Sequence, residues 1–513
     1  MSTWTSGYVA DIGYTHGFYR ELTPALLRYL ALTRGQRAPD VGAGLDYCEL
    51  GCGQGFSVNL LAATNPQDRF HATDFNPSQI SGARALAADA GLSNITFHDT
   101  AFADFADAPG LPDSFDVIAL HGIWSWISAE NRAAIVDFIA RKLKVGGLVY
   151  VSYNALPGWA AAAPLRHLMY LHGKAKGGPT IGRMEPALKF VEAMQASNAA
   201  YFRASPALKD RFEKLKTLNH NYLAHEYMND AWSLFYHSEV AGEMSAAKLD
   251  FLGSAALLEG VDAINLTADQ QQVMAGIDDP VLRETVRDYM TNQQFRRDVF
   301  VKGPVQLAPR AAQEAWLDQR FALSTSRADV PLKVTGSQGE AALQAEVYTP
   351  LLDGLAGGPK TVRDLVADPA IAGLGGARLQ QAFTVLVGSG HLQPCLPAKD
   401  EARRAKGTKA FNRAVIERAL DGADLAFLAS PVTGGGVTVG RFQQLFLKAL
   451  FDGKKSPDEW ASFVWQVLSA QNQRILKDGR TLETAEENLS ELKVQADTFS
   501  EKQLPVLKSL QVA

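Results

Sequence analysis

Tyr47-Cys48-Glu49-Leu50-Gly51-Cys52-Gly53-Gln54-Gly55, followed by Phe56-Ser57-Val58-Asn59-Leu60-Leu61-Ala62, is the stretch from which the fold is read. A short apolar run meets three glycines in strict alternation. Apolar residues then recur at helical spacing, which predicts strand, tight turn and helix. Glycine in such a turn lets the backbone come close to a ligand. A dinucleotide fingerprint has the spacing G-x-G-x-x-G. Its third glycine would fall at position 56, which is Phe; here it falls at Gly55, which argues against NAD. Arg69-Phe70-His71-Ala72-Thr73 predicts a second strand ending in Asp74. That is roughly 20 residues on, where an acid in a doubly wound fold holds ribose hydroxyls.

Further strands are predicted at Asn94 to His98, Phe115 to Leu120 and Leu148 to Tyr153, with helices from Pro77 to about Ala90 and from Ser128 to Lys144. Residues just past the carboxyl end of a parallel strand face the ligand crevice, which makes His121 and Trp124 site candidates. Leu249 to Gly253 reads as a sixth strand and Arg297 to Val301 as an antiparallel seventh. Residues 160 to 235 then form a helical insertion that roofs the site. The fold class is α/β, a Rossmann-like core of residues 41–305. It follows an N-terminal aromatic cap of residues 1–40, in which a helix starts at Thr23-Pro24. The cap's aromatics fit either a lid over a cationic ligand or plain packing of that helix. A linker is expected at 306–335, then a winged-helix-like unit at 336–400. Its third helix holds one cation, Arg378, so protein contact is favoured over DNA, where phosphate contacts dominate affinity. Residues 401–513 read as a helical region entered through a basic connector, Arg403 to Lys409.

Composition fits a soluble globular chain of several domains: 513 residues, 47% hydrophobic, formal net charge -5. Neither value suggests general nucleic-acid affinity. The three cysteines form no disulfide framework and no metal-site spacing. The first residues lack a signal-peptide pattern, and no apolar run is long enough to span a bilayer. A cytoplasmic protein without stable membrane insertion is expected.

The acid opening the turn and the three alternating glycines resemble motif I of the class I S-adenosylmethionine methyltransferases. With His121-Gly122-Ile123-Trp124-Ser125-Trp126, Ser152 to Trp159, Tyr222 to Tyr227 and the tyrosine-rich start, the chain resembles bacterial methyltransferases carrying a methyltransferase regulatory domain and a winged-helix C-terminal region. Rickettsial-type lysine methyltransferases of outer-membrane protein belong to that group. The resemblance implies S-adenosylmethionine as cofactor and S-adenosylhomocysteine as product. Glu49 would lie near the methionine ammonium, the Gly51, Cys52, Gly53 and Gly55 backbone against the methionine and sugar, and Asp74 and Phe75 at the ribose end. Tyr14, His121 and Gly122 complete the expected cofactor set. The family's adenine-binding Asp is replaced by Ala101, so that role falls to the backbone of Ala101 and Phe102, or to Asp99 or Asp104.

Methyl transfer from a sulfonium is an in-line displacement, so the enzyme must hold the acceptor at near-attack distance, about 3–3.5 Å. A lysine acceptor must also lose a proton, which costs roughly 4–5 kcal/mol at pH 7 from a reference pKa near 10.4. A weakly polar pocket supplies part of that. Tyr153, Trp124 and Trp159 are the expected walls, Asn154 the orienting acceptor, and His225, with His121 and Glu226, the proton acceptors considered. The function expected is protein lysine N-methylation. Small-molecule methylation, or a SAM-binding assembly or regulatory role, stands as the alternative, and a homodimer is an expected partner state.

Overall fold

The computed structural model describes residues 8–9, 13, 16–41 and 44–513. Seven strands, β1 (Asp46–Leu50), β2 (Arg69–Asp74), β3 (Ile95–Asp99), β4 (Phe115–Leu120), β5 (Leu143–Asn154), β6 (Leu249–Ser254) and β7 (Phe295–Lys302), form one sheet. Its order is β3-β2-β1-β4-β5-β7-β6. β1 to β5 are parallel, and β7 runs antiparallel between β5 and β6. This is the Rossmann-like arrangement expected from the sequence. β1 is buried along its whole length, as a central parallel strand with both faces covered must be. The chain leaves β1 toward β2 on one side and returns to β4 on the other. The resulting switch point opens a crevice at the strands' carboxyl ends.

Five helices between Ala163 and Met228 form the insertion after β5. They enclose an apolar cluster of their own, including Met169, Met184, Phe212 and Leu223. Val9 joins that cluster, and its N–H donates to Asn229 Oδ1 at 2.7 Å, tying the cap to the roof. The cap helix Pro24–Thr33 starts where expected, with Thr23 as its N-cap.

Two expected connectors are structured. Residues 306–335 hold the helix Pro309–Leu317, strand β8 (Arg320–Leu323) and half of the hairpin Lys333–Gly336/Gly339–Ala342. β8 is the middle strand of a three-stranded antiparallel sheet, between Lys360–Thr361 and Leu392–Cys395, against which the helices Ala345–Leu355 and Gly376–Gly388 pack. The basic stretch Arg403 to Lys409 lies inside the helix Glu401–Arg418. Arg404 there is buried and donates to the carbonyls of Pro397, Lys399 and Pro431, so its charge serves the fold and not solvent. The apolar helix Gly376–Gly388, for which the sequence favours protein contact over DNA, is used within the chain: Leu379, Phe383 and Leu386 are buried, and a Cβ on Gly388 would lie 2.7 Å from Leu258 N.

The C-terminal region packs directly behind the glycine turn. Thr64 and Asn65, at the end of the helix Phe56–Thr64, donate to Gly434 O, and a Cβ on Gly407 would lie 2.7 Å from Ala63 O. One apolar cluster runs from Leu60 and Leu26 through Phe321 and Phe383 to Leu445 and Trp460.

Candidate active site

The turn after β1 is held by backbone bonds. Gly51 and Cys52 N–H both donate to Thr73 O at the end of β2, and Gly55 N–H donates to Cys52 O. Gly51, Gly53 and Gly55 all have φ between +53° and +73°, a region that only glycine enters without strain. A Cβ on Gly51 would lie 2.6 Å from Ile123 Cγ2, and one on Gly55 2.5 Å from Ala83 Cβ. The alternating pattern is therefore set by conformation at all three positions and by space as well at Gly51 and Gly55.

Asp74 is buried at the tip of β2, where Gly53 N–H donates to its Oδ2 at 2.9 Å and Asn76 N–H to its Oδ1 at 3.0 Å. Burial pushes its carboxyl upward, and these backbone donors pull it back. Glu49, at the other side of the turn, is 5% exposed, and its Oε2 has no hydrogen-bond partner among the described residues. Burial and the nearby charge of Asp74 push the Glu49 carboxyl up to about 8.

Both acids and the three glycines face a cavity of about 1030 Å³ between the sheet, the cap, the roof and the C-terminal region. Phe75, Ala101 and Phe102 lie on its wall beyond Asp74; Asp99 and Asp104 do not. Thr73 Oγ1 donates to Thr100 O at 2.7 Å and so fixes the loop that carries Ala101. Cys52, His121 and Gly122 are also on the wall. His121 stacks on Tyr19 with ring centroids 3.6 Å apart and lies 2.8 Å through Nδ1 from Tyr150 OH. Burial, with the charge of Arg297 adding to it, pushes the imidazole down to about 3, so it is neutral at pH 7. Tyr14 lies outside the described residues.

Of the expected acceptor-side residues, Asn154 and Trp159 line the cavity and three do not. Tyr153 points through the other face of β5, as strand alternation requires beside an inward Asn154. There its hydroxyl donates to Asp298 Oδ2 at 2.6 Å, in a buried network with His237 and Arg296 that anchors β7. Trp124 is fully buried in the core, and Trp126, two residues on, reaches the wall instead. His225 is buried at 2% exposure beside Tyr8, with ring centroids 5.9 Å apart. Its neighbour Glu226 faces the cavity, because adjacent helical residues do not share a face. Phe295, Arg297, Tyr19 and Arg211 are wall residues outside the expected set. Phe295 and Arg297 enter only through the antiparallel return of β7 beside β5.

The strap Gly17 to Glu21 crosses the cavity and is clamped from both sides. Ser57 Oγ donates to Gly17 O at 2.8 Å, and Phe18 packs on Phe427 and against Gly436. Arg20 donates through both terminal nitrogens to Val387 O and Gly388 O, each at 2.7 Å, at the carboxyl end of a helix where a cation is favoured. Arg20→Ala is expected to cost about 2–3 kcal/mol of stability, from the value of hydrogen bonds to charged groups. Denaturant titration checks it; an unchanged midpoint would contradict the clamp.

The residues fit S-adenosylmethionine on two counts. A buried carboxylate oxygen without a partner suits an ammonium, and a glycine cradle that any Cβ would fill suits close approach of the ligand to backbone. Among the described residues no cluster of metal-ligand type occurs, and no helix is long and apolar enough to cross a membrane.

Known proteins share this fold. The family described as "Methyltransferase domain" matches residues 42–197, and "Predicted methyltransferase regulatory domain" matches residues 219–302. The uncharacterized protein sll1526 of Synechocystis is 45% identical over 511 residues, covering 100% of both chains. The uncharacterized protein RP789 of Rickettsia prowazekii is 28% identical over 57% of this chain and 53% of its own length. Among solved structures, PKMT2 from Rickettsia typhi in complex with AdoHcy superposes with a TM-score of 0.70 at 18% identity, covering 98% of this chain and 100% of that one.

Proposed function

The chain belongs to the S-adenosylmethionine-dependent methyltransferases that join a methyltransferase domain to a methyltransferase regulatory domain, and from that membership we propose that it methylates the amine of a protein lysine. The observation that carries this reading is that Asn154, Trp126, Trp159 and Phe295 share one cavity with the turn from Glu49 to Gly55. S-adenosylmethionine, when bound, supplies the methyl group on a sulfonium.

Each residue has a definite task. Glu49 pairs with the ligand's ammonium, and the backbone of Gly51, Cys52, Gly53 and Gly55 lies along it. Asp74, with Phe75 beside it, would accept from ribose hydroxyls through the lone pairs its backbone donors leave free. Thr100, Ala101 and Phe102 frame the base. His121 and Gly122 would line the cofactor's side of the cavity, where the stack of Tyr19 on His121 would help exclude water. On the acceptor side, Trp159 and Phe295 bound a weakly polar slot that favours a neutral amine, and the Asn154 amide orients it.

Transfer of labelled methyl from S-adenosylmethionine into cell lysate tests the acceptor class. Label in a protein band, released as methyl-lysine on hydrolysis, is the result expected. Label confined to small molecules would replace this reading with metabolite methylation.

Glu49 also sets a pH dependence. Its carboxyl is raised, so it is protonated below about 8 and ionised above, and only the ionised form pairs with an ammonium. S-adenosylhomocysteine affinity is therefore expected to rise as pH increases from 6 to 8. The slope is on the order of tenfold per unit while the carboxylate is the minor form. Glu49→Gln should bind weakly with no such slope, read by calorimetry at each pH.

A further inference from the structure

The proposed reaction needs a base on the acceptor side of the cavity, and this inference rests on that reading. Three ionisable groups on the wall come into question. His121 faces Tyr150 OH and is held neutral with a depressed pKa, so it is a weak base. Glu21 is within ion-pair distance of Arg20 and Arg297, at 3.9 and 4.0 Å. Glu226 alone of the three has a carboxylate with neither an ion pair nor a hydrogen bond among the described residues.

Its surroundings account for that. Arg166, from the helix Ala163–Lys176, is close but donates to Asn229 O and lies over the Trp232 ring. Arg211, from the helix Ala207–Leu215, lies 3.9 Å over the Trp159 ring and donates to Gln294 Oε1. Arg166 Nε also donates to the main-chain carbonyl of Glu226 at 3.5 Å and Arg211 Nε is unpartnered among the described residues, but neither guanidinium forms an ion pair with the carboxylate, which is flanked by positive charge without being neutralised. Tyr222 shares the wall, and Tyr227 follows on the same helix. From the cap, Tyr19 feels the charges of both Glu49 and Glu226, and Tyr8 those of Asp74 and Glu226. Both tyrosines line the same cavity as Glu49, Asp74 and Glu226. An acid facing aromatic rings in a partly desolvated slot is an environment for an alkylammonium ion.

We propose that Glu226 seats the acceptor ammonium against Tyr222 and Tyr19 and accepts its proton before transfer. In that step an N–H bond breaks and an O–H bond forms on the carboxylate. The electron pair stays on nitrogen, which becomes a neutral nucleophile, and the proton passes to water after product leaves. Burial holds the carboxyl up at about 7, with Arg166 and then Arg211 pulling it down, which narrows the gap to a lysine amine.

The test uses the intact chain with S-adenosylhomocysteine held at saturation, and n-butylammonium chloride as probe of the acceptor slot, titrated at pH 6 and pH 8. A carboxyl at about 7 is ionised to roughly 9% at pH 6 and 91% at pH 8. Amine affinity is thus expected to rise about tenfold between them in the wild type. Glu226→Gln should lose the rise and bind at least about tenfold more weakly at pH 8, while its S-adenosylhomocysteine affinity is unchanged. Wild-type behaviour of the amine in Glu226→Gln, or no pH dependence in the wild type, overturns the proposal. Failure of S-adenosylhomocysteine to bind the wild type would instead strike at the cofactor reading.

Discussion

Gly55→Ala is expected to lower the melting temperature by roughly 5–15 °C and to remove cofactor binding with it. The new Cβ would lie 2.5 Å from Ala83 Cβ and 2.9 Å from Phe97 Cε1, two buried groups with no room to retreat. Gly55 also has φ +65°, where an L-residue pays about 1–2 kcal/mol. Overpacking adds about 1–3 kcal/mol, and each kcal/mol moves the midpoint of a core this size by about 2–4 °C. The same shift would break the Gly55 N–H to Cys52 O bond that closes the turn. Gly53→Ala is the informative control. Its Cβ meets nothing nearer than Gln79 Oε1 at 3.8 Å, so only backbone strain remains, and its melting temperature should fall by a few degrees at most. Scanning calorimetry of the two variants separates crowding from strain.

Asp74→Ala is expected to weaken S-adenosylhomocysteine binding by a factor on the order of 10²–10⁴. The carboxylate serves the site twice, holding the N–H of Gly53 and Asn76 and facing the cavity with its remaining lone pairs. Each hydrogen bond to a charged group contributes about 1.5–3 kcal/mol, and loss of two gives that range. Asp74→Asn keeps one acceptor oxygen and should fall between the wild type and Asp74→Ala. Equal affinities for Asp74→Asn and Asp74→Ala would show that the charge, and not the geometry of acceptance, is what the ligand reads.

The floor of the site was legible in the chain because local rules govern it. Three left-handed positions demand glycine, and an acid at the tip of β2 falls about 20 residues past the turn, so Gly51, Gly53, Gly55 and Asp74 could be placed by spacing and Glu49 through the resemblance to motif I. The roof was less legible because its residues are positioned by tertiary register. Whether Tyr153 or Asn154 faces the crevice depends on one residue of strand phase, and the buried Asp298 that receives the Tyr153 hydroxyl lies 145 residues away. His225 and Glu226 differ by one step of a helix whose orientation is fixed by packing on the helices beginning at Ala163 and Ile181. The contribution of Phe295 and Arg297 required β7 to pair antiparallel with β5, and β8 was hidden because a four-residue strand between a helix and a hairpin has too short a pattern to register.

All of this depends on a sulfonium nucleoside occupying the crevice between β1 and β4, so calorimetric titration of the intact chain with S-adenosylmethionine is the most direct measurement. A single saturable site per chain, competed by S-adenosylhomocysteine and lost in Asp74→Ala, is the result predicted. No heat from the folded wild type, or the same binding in Asp74→Ala, would contradict it.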